Sequence, residues 1–293
     1  LTLSTSGSPA AHVAGLPLVN MDYHLNDLLL RIMSAIHFYK YQGTGNDFVI
    51  MDNRKGEYDY LTEKQVAFLC DRRFGIGADG LMLLNKQEGY DFGMKYYNAD
   101  GRESSMCGNG GRCLVAFARK MGLQGEKLTF LAVDGPHEAT LKGDDWVNLK
   151  MQDVNGVEIG SLYSYLNTGS PHYVRFVEDV KDVDVYTEGR NIRYNDRFAK
   201  EGTNVNFVQP LEQGIFVRTY ERGVEDETYS CGTGVTAAAL MTAGAEEKEY
   251  VVPVQTLGGK LEVRFTRTGE RTYNNIWLCG PATLVFEGNI TLS

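Results

Sequence analysis

From about residue 37 onward the chain alternates short apolar runs with glycine, asparagine and aspartate. "HFYKYQ", "DFVIMD", "GLMLLN", "FGMKYYN", "WVNLKMQ", "HYVRFV", "VNFVQ", "IFVRTY", "KLEVRFT" and "ATLVFEG" are rich in β-branched and aromatic residues. Short runs of that composition, bounded by turn-forming residues, predict β-strands. Helical spacing is rarer. Residues 62–73, "TEKQVAFLCDRR", read as a helix with Thr62 as N-cap. Residues 22–36, "DYHLNDLLLRIMSAI", have the spacing of a short amphipathic helix. Two further runs of small and apolar residues each open directly after a cysteine, Cys107 or Cys231, and close on a glycine, Gly122 or Gly244. Glycine is the usual residue just past a helix end, so both runs predict helices. Many strands around one central helix per half predict an α+β fold.

The chain also reads twice. "CGNGG" at 107–111 matches "CGTGV" at 231–235. Upstream, Asn98 and Glu221 each follow a tyrosine, 9 and 10 residues before their cysteines. Further upstream, "GTGNDFV" faces "TGSPHYV", and Asn46 and Ser170 each stand 61 residues before their cysteine. Three features repeating in one order predict two similar lobes with the active site in a cleft between them. The expected division is 33–151 plus 281–293 for the first lobe and 152–280 for the second. Residues 1–32 lack the pattern and the basic start of a signal peptide. They read as a leader or tag outside the fold.

Composition narrows the function. The chain has 293 residues, 43% hydrophobic and 23% charged, as expected of a globular protein. A net charge of −9 argues against a nucleic-acid partner, because phosphate contacts need a basic surface. No apolar run reaches the roughly 18 residues of a membrane span. The five cysteines include no CxxC pair. That fits neither a disulfide scaffold nor a zinc ribbon, and predicts free thiols in a reducing cytoplasm.

A cysteine directly before a glycine-rich helix start has a chemical use. The first backbone N–H groups of a helix have no intrahelical partner and favour an anion. A thiol placed there is expected to have its pKa lowered below about 8.5. Glycines let a ligand approach the backbone. With two such sites facing one cleft, a carboxylate held by both helices leaves its α-carbon between two sulfurs. One thiolate can remove the α-proton while the opposite thiol returns one, inverting the centre without cofactor or metal. Aligned N–H donors would stabilise the enolate-like charge that develops.

Other readings of these residues are structural or belong to other chemistry. A cysteine in an apolar run is most often a small buried hydrophobe, which is the reading for Cys70, Cys113 and Cys279. "CGNGG" lacks the GK[ST] of a phosphate loop. Cys107 and Cys113 are too far apart in sequence for an ordinary metal pair. A redox switch between paired thiols stays open.

Taken together, "GTGNDFV", "RRFGIGADG", "YNADGRESSMCGNGGRC", "GSPHYV", "NVNFVQ" and "YERGVEDETYSCGTG" resemble the diaminopimelate epimerase family in content and order. The resemblance covers the chain from about residue 37. It implies a two-lobed, cofactor-independent amino-acid epimerase, a homodimer, that interconverts LL- and meso-diaminopimelate for lysine and cell-wall precursor synthesis. It implies Cys107 and Cys231 as the two bases. Gly108, Asn109, Gly232 and Thr233 would bind the α-carboxylate through backbone N–H groups. Asn46, Asn98, Ser170, Asn204, Glu221 and Arg222 would meet the rest of the substrate. His172 and Glu221 would tune the thiols, although a buried structural role fits His172 nearly as well. Ser170 stands where many members have asparagine, which leaves only a short hydroxyl for that contact. Gly80 stands where some have a glutamine, and no binding role is assigned to it. Two alternatives remain: a proline-type racemase of the same fold, whose substrates lack a charged distal end, and a non-enzymatic thiol sensor.

Overall fold

The computed structural model describes residues 35–143 and 145–292. The leader expectation for 1–32 lies outside them, as does the helix expected over 22–36 apart from its end. There Ile36 opens a strand instead. By contacts, His37–Gly288 forms one compact unit that holds every candidate site residue.

Within that unit the same pairing order occurs twice. In the first half Ile36–Gly43 runs antiparallel to Asn46–Asp52, joined by a tight turn in which Thr44 (φ 52) and Gly45 (φ 87) both have positive φ. That is the backbone of a hairpin turn whose twist matches the strands. Asn46–Asp52 lies parallel to Gly80–Asn85, which is antiparallel to Phe92–Asn98, which is parallel to Lys127–Ala132. Gly135–Lys142 and Trp146–Lys150 follow in antiparallel steps. The second half repeats these relations with Ser164–Asn167, Pro171–Phe176, Asn204–Pro210, Ile215–Glu221, Glu249–Thr256, Gly259–Gly269 and Thr272–Pro281.

The halves join where their last strands meet. Trp146–Lys150 pairs antiparallel with Thr272–Pro281, with Leu149 opposite Leu278. After each of these strands the chain crosses over. Glu158–Ile159 pairs with Ser164–Asn167, and Thr283–Ile290 pairs with Ile36–Gly43. Each half is therefore completed by a strand beside its own first strand.

Helices occupy matching places. α1 (Glu63–Cys70) follows the second strand of the first half and starts at Thr62, in a capping box with Gln65. It is shorter than the expected 62–73, because Asp71 already has extended φ/ψ. α2 (Gly108–Lys120) is buried from Gly108 to Ala118, as a helix enclosed by strands must be. Gly122 (φ 91) follows it in the left-handed conformation. α3 (Val185–Arg193) holds α1's place in the second half. α4 (Gly232–Leu240) is the second central helix. It ends four residues before Gly244, so that glycine is not its terminator.

The apolar faces of both halves and of α2 and α4 merge into one core, with Phe48, Phe92, Phe117, Leu149, Val235, Val263 and Leu278 fully buried. Among the described residues no helix is long and apolar enough to cross a membrane.

Candidate active site

Cys107 and Cys231 are the N-cap residues of α2 and α4, both with extended backbone (φ −99, ψ 131 and φ −109, ψ 111). Neither sulfur is used up in capping its own helix. The first intrahelical bonds are those of Gly111 N–H to Cys107 O (2.7 Å) and Val235 N–H to Cys231 O (2.8 Å). The N–H groups before them have no intrahelical acceptor.

These two helix starts abut. A Cβ placed on Gly232 would lie 3.5 Å from the Gly108 Cα and 2.9 Å from Leu278 Cδ2. A side chain there would press on Leu278 and fill the contact between the two helix starts. The glycines thus let two helix starts, each capped by a cysteine, come together.

On the first side, the Cys107 thiol donates to Asn46 Oδ1 at 3.5 Å. The Asn46 amide donates to Asp79 at 2.6 Å, and Asp79 is held by Arg72, which also grips Asp47. Sequence reading had the motif containing Asp79 and Arg72 but gave neither a role. Their role is to fix which way Asn46 points. Asn109 crosses between the halves: its side-chain amide donates to Ser230 O at 2.8 Å.

On the second side, Cys231 Sγ lies 3.5 Å from Thr233 Oγ1, which is 3.2 Å from Ser170 Oγ. Ser170 Oγ is 3.0 Å from His172 Nε2 and accepts from the Asn204 amide at 3.1 Å. His172 is fully buried. Its Nδ1 faces the Asn206 amide nitrogen at 3.1 Å, while Asn206 Oδ1 accepts from Thr219. An amide N–H can only donate, so Nδ1 accepts and Nε2 carries the hydrogen toward Ser170. Burial pushes His172 down to about 3, with Arg222 adding to the effect. It is a neutral hydrogen-bonding ring that holds Ser170, and through Ser170 the Thr233 hydroxyl beside Cys231. Ser170 lies beside Thr233, next to Cys231, with its hydroxyl engaged by protein groups.

Glu221 ends the strand Ile215–Glu221 and accepts from the Thr228 hydroxyl at 2.9 Å; Asn98 ends the matching strand Phe92–Asn98 and is exposed. Burial raises the Glu221 carboxyl. Arg222 is exposed, its backbone N–H donates to Asn204 Oδ1 at 2.9 Å, and its guanidinium donates only to a backbone carbonyl, that of Glu201. Among the described residues it has no carboxylate partner, which leaves a fork of donors free for one.

The expected lowering of the thiol pKa values is not what the structure gives. Burial raises Cys107, against the opposing pull of the Gly110 and Asn109 N–H groups and of Arg112. Burial likewise raises Cys231, and Glu221 adds to it. Desolvation of a charge outweighs the helix N-termini at this depth. Cys113, Cys279 and Cys70 are each pushed up to about 12 by burial, as the reading of them as buried hydrophobes requires. Two surface cavities, of about 270 and 430 Å³, are lined by other residues and touch neither Cys107 nor Cys231. The chemistry points to the helix junction rather than to them.

The sequence matches the family model described as Diaminopimelate epimerase over residues 38–157 and 164–285. The chain belongs to the diaminopimelate epimerase family. A diaminopimelate epimerase of Flavobacterium psychrophilum is 50% identical over 254 residues, covering 86% of this chain and 99% of that one. One from Chlorobaculum tepidum is 44% identical, covering 85% and 99%. Among solved structures, a Bacillus anthracis phenazine biosynthesis protein of the PhzF family superposes with a TM-score of 0.67 at 17% identity, covering 88% of this chain and 99% of that one. A probable proline racemase from Agrobacterium radiobacter, with bound carbonate, gives 0.64 at 14% identity, covering 88% and 93%. At such identities these structures show a shared two-domain fold, matching the expected α+β architecture of similar halves.

Proposed function

We propose that this chain interconverts LL- and meso-diaminopimelate by a two-thiol proton exchange at one α-carbon, in lysine and cell-wall precursor synthesis. The observation that carries the reading is the abutment of two helix N-termini through Gly108 and Gly232, each capped by a cysteine. The α-carboxylate is held by the N–H groups of Gly108, Asn109, Gly232 and Thr233. The thiolate on one side takes the Cα proton; the C–H electron pair is delocalised into the carboxylate, whose charge the N–H donors stabilise. The thiol on the other side then protonates the opposite face. Thiol and thiolate have exchanged places, and nothing is oxidised or consumed. Glu221, Asn46, Asn98 and Asn204 suit the distal ammonium, and Arg222 binds the distal carboxylate with its fork. The lobes are taken as 33–151 with 281–293, and 152–280. The return of Thr283–Ile290 to Ile36–Gly43 supports that division.

The test is incubation with LL-diaminopimelate in D₂O, followed by NMR. Loss of the α-proton signal with appearance of the meso form is expected. Exchange of proline but not of diaminopimelate would replace the reading with a proline-type racemase. Exchange of neither would leave a thiol protein without this activity.

A further inference from the structure

The hydrogen bonds behind Cys231 run in one direction only. Tyr173 O can only accept, so the Asn206 side chain turns its nitrogen to it at 2.9 Å, and the same nitrogen donates to His172 Nδ1 at 3.1 Å. Nδ1 therefore carries no hydrogen, and the ring hydrogen sits on Nε2, 3.0 Å from Ser170 Oγ. Asn204 is fixed in the same way. Its oxygen accepts from the Arg222 backbone N–H at 2.9 Å, and its nitrogen donates to Pro171 O at 3.0 Å and to Ser170 Oγ at 3.1 Å. Ser170 Oγ thus accepts twice, which uses both of its lone pairs. Among the described residues its own hydrogen has one neighbour left, Thr233 Oγ1 at 3.2 Å. Thr233 accepts there, so its own hydrogen is free for Cys231 Sγ at 3.5 Å.

The matching positions on the other side have the opposite polarity. Asn46 and Ser170 each stand 61 residues before their cysteine, and Asn109 and Thr233 each stand two after it. Asn46 gives its nitrogen to Asp79 at 2.6 Å. Arg112 Nη2 holds Asn109 Oδ1 at 3.1 Å, so the Asn109 nitrogen is the atom that reaches Asn46 Oδ1 at 3.4 Å. What Asn46 turns to Cys107 Sγ, at 3.5 Å, is that oxygen. An amide oxygen accepts from a thiol and has no hydrogen to offer a thiolate. A hydroxyl with its hydrogen turned to the sulfur favours the thiolate.

We propose that Ser170 is a positioning residue which, with His172 behind it, holds the Thr233 hydroxyl as a hydrogen-bond donor to the Cys231 sulfur, so that a thiolate at Cys231 has a side-chain donor that the matching positions do not give Cys107. The inference rests on the two-thiol reading above, in which each sulfur is a thiolate in turn. The other groups facing Cys231 are the Glu221 carboxyl at the end of Ile215–Glu221, the Cys107 thiol at α2 and the Gly234 N–H of α4; Arg222 is the charged group that faces His172. Glu221 and Cys107 disfavour negative charge on Cys231, and Gly234 favours it. All of these remain when the Thr233 hydroxyl or Ser170 is replaced, so the hydroxyl's effect can be read on top of theirs.

The experiment is pulse alkylation with iodoacetamide across a pH series, read peptide by peptide by mass spectrometry, with Cys107 in the same sample for comparison. Midpoints of the labelling curves are compared, not rates, since the two sulfurs differ in exposure. Thr233→Val keeps the shape of the side chain and removes the hydroxyl. Its Cys231 midpoint should rise by about one pH unit, a roughly tenfold loss of thiolate at fixed pH, with no such rise at Cys107. Thr233→Ser restores the hydroxyl and should stay near the parent. Ser170→Ala leaves Thr233 in place without the group that directs it, and should raise the Cys231 midpoint by about half a unit, roughly threefold. A folded Thr233→Val or Ser170→Ala with an unchanged Cys231 midpoint would overturn the proposal, whatever its melting temperature. The parent protein gives a test that needs no variant. NMR of ¹⁵N-histidine-labelled protein should show the ring that stays neutral across the series with its hydrogen on Nε2; a hydrogen on Nδ1 would break the chain at His172 and overturn the proposal as well. None of these readings needs turnover. Failure of deuterium exchange would count against the reaction and leave the Cys231 midpoints to be judged separately.

Discussion

At the residue scale, the proposed reaction gives the two sulfurs separate duties. Each serves one face of the α-carbon, so Cys107→Ala and Cys231→Ala should each lower turnover by at least roughly 10²–10⁴-fold, the usual contribution of one general acid or base. Near-parent activity in either variant would break the assignment. Arg222 is a second case. Its guanidinium has no carboxylate partner among the described residues and rests on the Glu201 carbonyl. Arg222→Lys keeps the charge but loses the planar fork. We expect kcat/KM for diaminopimelate to fall at least about tenfold with an unchanged melting temperature, because an exposed side chain contributes little to the fold. Equal kcat/KM in the two proteins would remove Arg222 from the site. His172 gives a stability prediction with a definite sign. Its pKa is lowered in the fold to about 3 from an ordinary 6.5. Its contribution is therefore complete above about 6.5 and lost as pH falls from there toward 3. His172→Gln should flatten the acid limb of a melting-temperature profile, and an unaltered limb would mean that other groups dominate it.

At the element scale, α3 shows what sequence patterning hides. Gly189 lies in the middle of this helix, where glycine costs about 1 kcal/mol relative to alanine, and it weakens the apolar periodicity. The structure explains the cost. A Cβ there would sit 2.4 Å from the Tyr220 Cβ, on a strand the helix packs against. Gly189→Ala should therefore destabilise by about 1–3 kcal/mol through overpacking, despite better helix propensity; a rise in melting temperature would contradict the packing argument. The central helices and most strands were legible, because a cysteine, a glycine-rich start and a small-residue run are local signals. The strands around α2 and α4 carry enough β-branched and aromatic residues to be read singly. Their parallel and antiparallel order is set by contacts far apart in sequence, and no local pattern encodes it. The site divides in the same way. Cys107, Cys231, Asn46 and Glu221 were visible because they sit in repeating motifs. Arg112 and Asn206 were passed over, since their work depends on burial. The thiol pKa direction was misjudged for that reason too: the motif shows the helix start but not the depth at which it lies.

At the scale of the whole molecule, burial of thiols sets a limit on alkaline tolerance. Cys70, Cys113 and Cys279 are pushed up to about 12 from an ordinary 9.0. The folded state holds these protons longer than the unfolded chain does. Their contribution is complete below about 9 and is lost as pH climbs from there toward 12. The melting temperature should fall across that window, and Cys70→Ala should fall less steeply than the parent. Parallel profiles would show that the buried thiols are not the cause.

The repeated pairing order has one more consequence, which concerns what a symmetric object could never do. Two identical half-chains related by a true two-fold axis would have to present the same side chain on both sides of the junction. A substrate with one reacting end and one inert end would then meet two indistinguishable orientations. Joining the halves in one polypeptide lifts that restriction position by position. Asn98 can differ from Glu221, Asn46 from Ser170, and Asn109 from Thr233, while Cys107 and Cys231 stay alike. On the proposed reading, what remains equal handles the mirror-related faces of a carbon, and what has diverged tells the protein which carbon to choose.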